Sequence, residues 1–209
     1  GYYSVELKDY KIKAELTATA RTGLHKYTFS DNGQGHVLLD LTASIYNFKN
    51  KVIWSDVRVI DPQTLLVYRS TNGWAKQRET YFAIRFSRPF DDIELVNEDN
   101  NRYRCNGCLS KDSKANKPST IVNSAIQFTA GKAIKVLTHF NDANKEPLLI
   151  KVGLSAVSRK NALENLTTEL PHWDFEQVRQ QAKQQWQQFD KMSAKFKVLK
   201  KPRLTAFID

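Results

Sequence analysis

Cys105-Asn-Gly-Cys108 sets two thiols at CxxC spacing, which can supply half of a tetrahedral zinc site or a redox pair. No second CxxC or HxxxH completes a zinc set. A redox CxxC opens a helix after a parallel strand, whereas this one lies in the polar stretch 97–119. Cys105 and Cys108 therefore read as a short-range disulfide, or as two thiols, in a surface insertion; a disulfide would suit an oxidising compartment. Carboxylates occur as adjacent pairs, Asp91-Asp92 and Glu98-Asp99. Acid–base work on one bond needs two carboxyls facing one space, and neighbours on a strand point to opposite faces. Both pairs read as loop charges. His36, His139 and His172 show no metal-ligand spacing with one another, and no Ser-His-Asp order, phosphate-binding loop or calcium loop occurs. Asn165-Leu-Thr167 is a glycosylation sequon, meaningful only in a eukaryotic secretory setting.

The elements that must carry these residues are strands as far as residue 157. Segments 3–7, 12–19, 24–29 and 36–41 alternate or run apolar, divided by Lys8-Asp9, Gly23 and Asp31-Asn32-Gly33. Further candidates are 52–60, 65–69, 80–86, 93–96, 124–128, 133–140 and 148–157. Roughly eleven short strands at close spacing predict antiparallel sheets packed face to face. In the second segment Lys11, Lys13 and Glu15 share one face and Ile12, Ala14 and Leu16 the other, which predicts a wet side and a dry side.

Helical periodicity begins only after Ser158, which excludes an alternating α/β layout. Ser158 is placed to cap a short helix holding Ala162, Leu163 and Leu166, and Pro171 ends it. Asp174 is placed to cap a second helix with Gln177 three residues on, and Phe175, Val178, Ala182, Trp186 and Phe189 line one face of it. The predicted fold is mainly β: an antiparallel β-sandwich over 1–157, resembling a supersandwich, then a helical linker over 158–195 with two helices. A basic tail over 196–209, disordered or atypical, completes the chain.

The net charge of +10 over 209 residues raises nucleic acid as a partner. Its distribution argues otherwise, because Lys191, Lys195, Lys197, Lys200, Lys201 and Arg203 concentrate the excess in the tail and no nucleic-acid-binding motif accompanies them. Apolar runs are too short to span a bilayer, so no membrane span is expected. The first residue is Gly1 rather than methionine, which suggests a processed or trimmed product.

Three blocks of sequence resemble the family 92 glycoside hydrolases, the calcium-dependent exo-α-mannosidases. They are Gly1-Tyr-Tyr-Ser-Val with Ala14-Glu-Leu-Thr-Ala-Thr, Arg21, Gly23, His25 and Tyr27-Thr-Phe29; then Gly73-Trp74 with 81–90, YFAIRFSRPF; then 151–186. The last block is similar to the point where the family's N-terminal sandwich passes through a helical linker into its catalytic barrel. The resemblance implies a module of an inverting α-1,2-mannosidase, with a mannose-containing glycan as substrate, calcium as the intact enzyme's cofactor, and a periplasmic or secreted location. The family's catalytic carboxylates and most calcium ligands belong to the barrel, so the resemblance places no catalytic residue on this chain and implies no cofactor for it alone. Residues 196–209 depart from the family's entry into the barrel.

Within this frame Trp74, Arg21 and His25 are the candidates for contact with sugar or with the barrel. Trp74 follows Gly73 in a turn and can cover the sandwich end or present its face to a sugar. Arg21 can instead pair with Glu15 or Asp40, and His25 can be a hydrogen-bonded strand residue. Alternative readings are a free-standing carbohydrate-binding sandwich using Trp54 and Trp74, and an assembly module that self-associates through the linker helix.

Overall fold

The computed structural model describes residues 1–30, 33–44, 48, 50–98, 119, 120 and 127–200. Within them the alternating segments form strands β1 (Tyr2–Leu7), β2 (Ile12–Ala18), β3 (Thr22–Phe29), β4 (Gly35–Asp40), β5 (Val52–Asp61) and β6 (Thr64–Thr71). They continue with β7 (Arg78–Phe86), β8 (Asp92–Asn97), β9 (Ser119–Thr120), β10 (Gln127–Gly131), β11 (Ile134–Phe140) and β12 (Leu148–Ser155). Helices α1 (Arg159–Glu169) and α2 (Phe175–Lys200) follow. Cys105, Cys108 and Asp99 lie outside the described residues, as do residues 201–209 of the basic tail.

The strands form two antiparallel sheets, one of eight strands in the order β1-β2-β3-β12-β7-β6-β5-β10 and one of four in the order β4-β11-β8-β9. Their inner faces share one core, in which Val57, Val67, Ile84, Phe86 and Ile150 of the large sheet pack with Ile93, Leu95, Ile134, Val136 and Phe140 of the small one. This is the mainly-β sandwich with C-terminal helices that the patterning predicts.

Both helices lie on the opposite face of the large sheet. Ala162 and Leu166 of α1 pack on Ala83, while Leu170 beyond α1 and Phe175 and Val178 of α2 pack on Leu24. Strand β12 is therefore covered on both sides, which explains its nearly unbroken apolar run. Leu148 and Ile150 enter the inter-sheet core, and Leu149 packs under the helices. A Cβ placed on Gly153 would lie 2.3 Å from the Ala162 carbonyl oxygen and 2.8 Å from Leu166 Cβ, so only glycine lets α1 sit this close.

Three local expectations need correction. The wet side of β2 is covered in part: Glu15 is buried, accepts from Tyr2 Oη at 2.6 Å, and pairs with Lys13 and Lys26 at 3.4 Å each. Lys26 in turn stands 5.6 Å from the Phe175 ring centroid, because α2 crosses this face. The Tyr2 hydrogen bond, opposed by burial and helped by both lysines, holds the Glu15 carboxyl below its ordinary range. Secondly, helical backbone continues to Lys200, past the expected limit at 195. Finally, the strand expected to end at 128 runs on to Gly131 and pairs with β5, while residues 124–126 of that expectation lie outside the described residues.

Candidate functional site

The sequence turns from strand to helix at one end of the large sheet, and the residues that set this junction are specific. Ser155 Oγ accepts from Val157 N at 3.0 Å, and the extended Ser158 caps α1 by accepting from Asn161 N at 3.1 Å. Beyond the other end of α1, Lys151 of β12 is buried, donates from Nζ to the Leu170 carbonyl at 2.7 Å and stands 3.9 Å from the Trp173 ring centroid. It meets the negative end of the helix.

Burial, with the Arg85 guanidinium adding repulsion, pushes the Lys151 ammonium down to about 8 from its ordinary 10.5. Below about pH 8 folded and unfolded chains both hold this proton; between about 8 and 10.5 only the unfolded chain does. Stability therefore rises with pH across that window. The expected gain is about 2–3 kcal/mol relative to Lys151→Met, whose paired urea-unfolding series at each pH cancels the other titrating groups. The neutral amine still donates to Leu170.

Glu169, the last residue of α1, forms a second latch. Its carboxylate accepts from Arg21 N at 3.0 Å, from Arg21 Nε at 2.6 Å and from Thr19 Oγ1. Burial raises this carboxyl, but the hydrogen bonds from Thr19 and Arg21 together outweigh it and hold the group below its ordinary range. Arg21 thus pairs with Glu169, and neither with Glu15 nor with Asp40, which accepts instead from Thr42 N at 2.8 Å.

Helix α2 begins where Asp174 Oδ1 accepts from Gln177 N at 2.9 Å. Its apolar stripe then divides. Phe175, Val178 and Ala182 are buried, with Tyr2 edge-on to Phe175 at 6.3 Å and the Arg179 guanidinium 3.9 Å from the Tyr2 ring centroid. Trp186 and Phe189, each 58% exposed, and Met192, 56% exposed, continue the stripe in the open. Between this distal half and the sandwich lies a groove of about 470 Å³, lined by Gly1, Ala18, Thr19 and Ala20 on one side and Ala182, Gln185, Trp186 and Phe189 on the other.

Two of the three predicted site residues belong to the same end of the large sheet. Arg21 occupies the β2–β3 turn, where its carbonyl accepts from Leu154 N at 2.9 Å. Trp74 sits at the tip of the β6–β7 hairpin, which extends past the level of the Tyr81–Ser155 pair, and its side chain is fully exposed. His25 points the other way, into a cavity of about 130 Å³ between the sheets that it shares with Tyr27, Val37, Thr138 and Val152. Its Nδ1 lies 3.0 Å from Tyr27 Oη, and burial pushes its imidazole below the ordinary range. The three do not converge on one point.

The carboxylates likewise point to anchoring. Among the described residues, the carboxyls displaced from their ordinary range, Glu15, Asp40 and Glu169, all move down, whereas a general acid in glycoside cleavage needs the opposite. Asp91 accepts from Asn141 N at 2.7 Å, Asp92 from Ile93 N at 2.8 Å, and Glu98 pairs with Lys135 at 2.8 Å. Buried Asp56 is held by Arg159, the first residue of α1. Sequence reading missed Lys151 and Glu169; a lone lysine inside the run LLIKVGL is the only signal of the first.

A model of the glycosyl hydrolase family 92 N-terminal domain matches residues 1–155. The chain is similar to a family GH92 alpha-mannosidase from Bacteroides thetaiotaomicron, with 25% identity and a TM-score of 0.71 over 90% of this chain and 23% of that one. The same mannosidase in complex with mannoimidazole matches with a TM-score of 0.70 and 25% identity, over 90% of this chain and 22% of that one. A family GH92 inverting mannosidase from Bacteroides thetaiotaomicron VPI-5482, 20% identical, shares the fold with a TM-score of 0.65 over 88% of this chain and 21% of that one. The chain thus spans less than a quarter of the length of these enzymes. No curated protein matches it.

Proposed function

The chain belongs to glycosyl hydrolase family 92, and on that premise we propose that it is the N-terminal sandwich of an α-1,2-mannosidase-like enzyme. Its role in this reading is to dock a catalytic helical barrel and to help shape the sugar site at the seam. The observation that carries the reading is the division of the α2 stripe: the proximal half is buried on the sandwich, while Trp186 and Phe189 stand beside an open groove. Trp74 and the groove occupy the same end of the large sheet, which is where a barrel following α2 would approach. An exposed indole there can stack on a sugar's C–H face.

An inverting hydrolysis protonates the leaving oxygen from one carboxylic acid while a second carboxylate activates water from the opposite side, roughly 6.5–9.5 Å away. The carboxylates that the fold buries or draws down, Glu15, Asp40, Asp56 and Glu169, are engaged with cations, hydroxyls and backbone amides, and the reading assigns both roles to the barrel. Calcium is a hard ion that takes about six to eight oxygen ligands. Among the described residues no group of three or more His, Cys, Asp or Glu is arranged to hold a metal. These residues do not fit calcium, and the reading places the ion in the barrel. A glycan substrate suits a periplasmic or secreted enzyme, and no described helix is long and apolar enough to cross a membrane. Without a barrel, the exposed stripe would pair two copies of the chain.

The test is hydrolysis of an α-1,2-linked mannose disaccharide in the presence of calcium. The isolated chain should release no mannose, while the chain joined to a family barrel should turn over. Release by the chain alone would overturn this division of labour.

A further inference from the structure

The outer face of the small sheet brings together two histidines and a carboxylate from three distant parts of the chain. His36 on β4 and His139 on β11 are register partners, and their Nδ1 atoms lie 2.9 Å apart. On the far side of the same ring, His139 Nε2 lies 2.9 Å from Glu94 Oε1 on β8. A carboxylate only accepts, so Nε2–H of His139 donates to Glu94; in the neutral ring this leaves a lone pair on Nδ1, which the Nδ1–H tautomer of His36 can meet. The two rings stand at 79° with centroids 4.8 Å apart, His36 is exposed, and the His139 side chain is 23% exposed, so solvent reaches the pair.

The geometry points to a divalent transition-metal site in which Nδ1 of His36 and Nδ1 of His139 chelate one ion, copper(II) first and nickel(II) second. The 2.9 Å between the two Nδ1 atoms is an ordinary hydrogen-bond separation, and the choice of ion rests on the donor set: imidazole nitrogens with water suit copper(II), which tops the affinity order of the divalent first-row metals, ahead of nickel(II). Glu94 acts as the outer carboxylate that fixes the His139 tautomer and raises the basicity of its ligating nitrogen. Neighbouring antiparallel strands already hold all three side chains, so chelation asks only that the two rings turn until both Nδ1 lone pairs meet one ion. On binding, His36 shifts its proton from Nδ1 to its other ring nitrogen, the net proton count is unchanged, and water completes the coordination. Sequence spacing conceals this site because the ligands are 103 residues apart and meet only through strand pairing.

Titration of the tag-free chain with copper(II) chloride, followed by calorimetry and electron paramagnetic resonance, tests the assignment. One saturable site with hyperfine structure from two equivalent nitrogens is expected. Glu94→Gln should weaken it about tenfold to a hundredfold with unchanged stoichiometry. His36→Ala and His139→Ala should each abolish the two-nitrogen signal while circular dichroism and thermal midpoint stay those of the parent chain. Equal copper affinity in the parent and in the double His36→Ala, His139→Ala variant would assign the ion to other groups and overturn the inference, as would the lack of any saturable site.

Discussion

Gly153→Ala is expected to destabilise the domain by about 3 kcal/mol, at the upper end of the cost of overpacking. The new methyl would meet the Ala162 carbonyl oxygen at 2.3 Å and Leu166 Cβ at 2.8 Å. The first is backbone in the middle of α1, so no side-chain rotation relieves the contact and the helix must lift. Lifting α1 exposes Ala162 and Leu166, now 0% and 1% exposed, and pulls Leu170 from Lys151 and Glu169 from Arg21. Replacing a strand glycine with alanine normally gains a few tenths of a kcal/mol to about 1 kcal/mol through the unfolded chain, which is too little to reverse the sign. For a domain of this size the loss corresponds to a fall in thermal midpoint of about 6–12 °C. Leu154→Ala, one residue on at a side chain 43% exposed, is the control and should cost under about 1 kcal/mol. A Gly153→Ala variant as stable as the control would mean that α1 does not rest on the β12 backbone.

The contrast between these neighbours also marks what the sequence can reveal. Period-two alternation located most strands to within a residue or two, and Ser158 and Asp174 marked both helix starts because a cap is a local device. The order of strands was not legible: β12 inserts between β3 and β7, and no local pattern records which distant edges it will join. For the same reason the Arg21 partner was misjudged. Glu15 and Asp40 are near it in sequence, but Glu169 meets it only once α1 has returned over the sheet. The wet and dry faces of β2 were real as a pattern, but α2 covers the charged face and turns Glu15 into a buried ion-pair centre. The stripe on α2 was legible as a whole, while its division into a buried half and an open half depends on where the sheet ends. The Gly73-Trp74 turn is legible in the sequence, and the full exposure of Trp74 follows from the hairpin that carries it beyond its neighbours.

The second large effect is expected at the open half of α2, and its size depends on context. In the isolated chain Trp186→Ala and Phe189→Ala remove side chains already 58% exposed, and each should change stability by less than about 0.5–1 kcal/mol. In the proposed docking the same residues become buried aromatic anchors, and truncation is then expected to cost about 2–4 kcal/mol each. The two rings touch edge to face at 6.2 Å, so the double variant should lose somewhat less than the sum of the single losses. Val178→Ala gives the complementary pattern, since Val178 is 1% exposed and packs on Leu24: it should weaken the chain alone as much as the joined protein.

The most direct measurement is calorimetric unfolding of residues 1–200 joined, through α2, to the catalytic domain of the related Bacteroides mannosidase, with and without Trp186→Ala and Phe189→Ala. Docking through α2 predicts one cooperative transition for the parent, and in the double variant separate transitions for sandwich and barrel, with the sandwich melting where the isolated chain does. Independent transitions in the parent, or a single transition that the double variant leaves in place, would contradict the docking role.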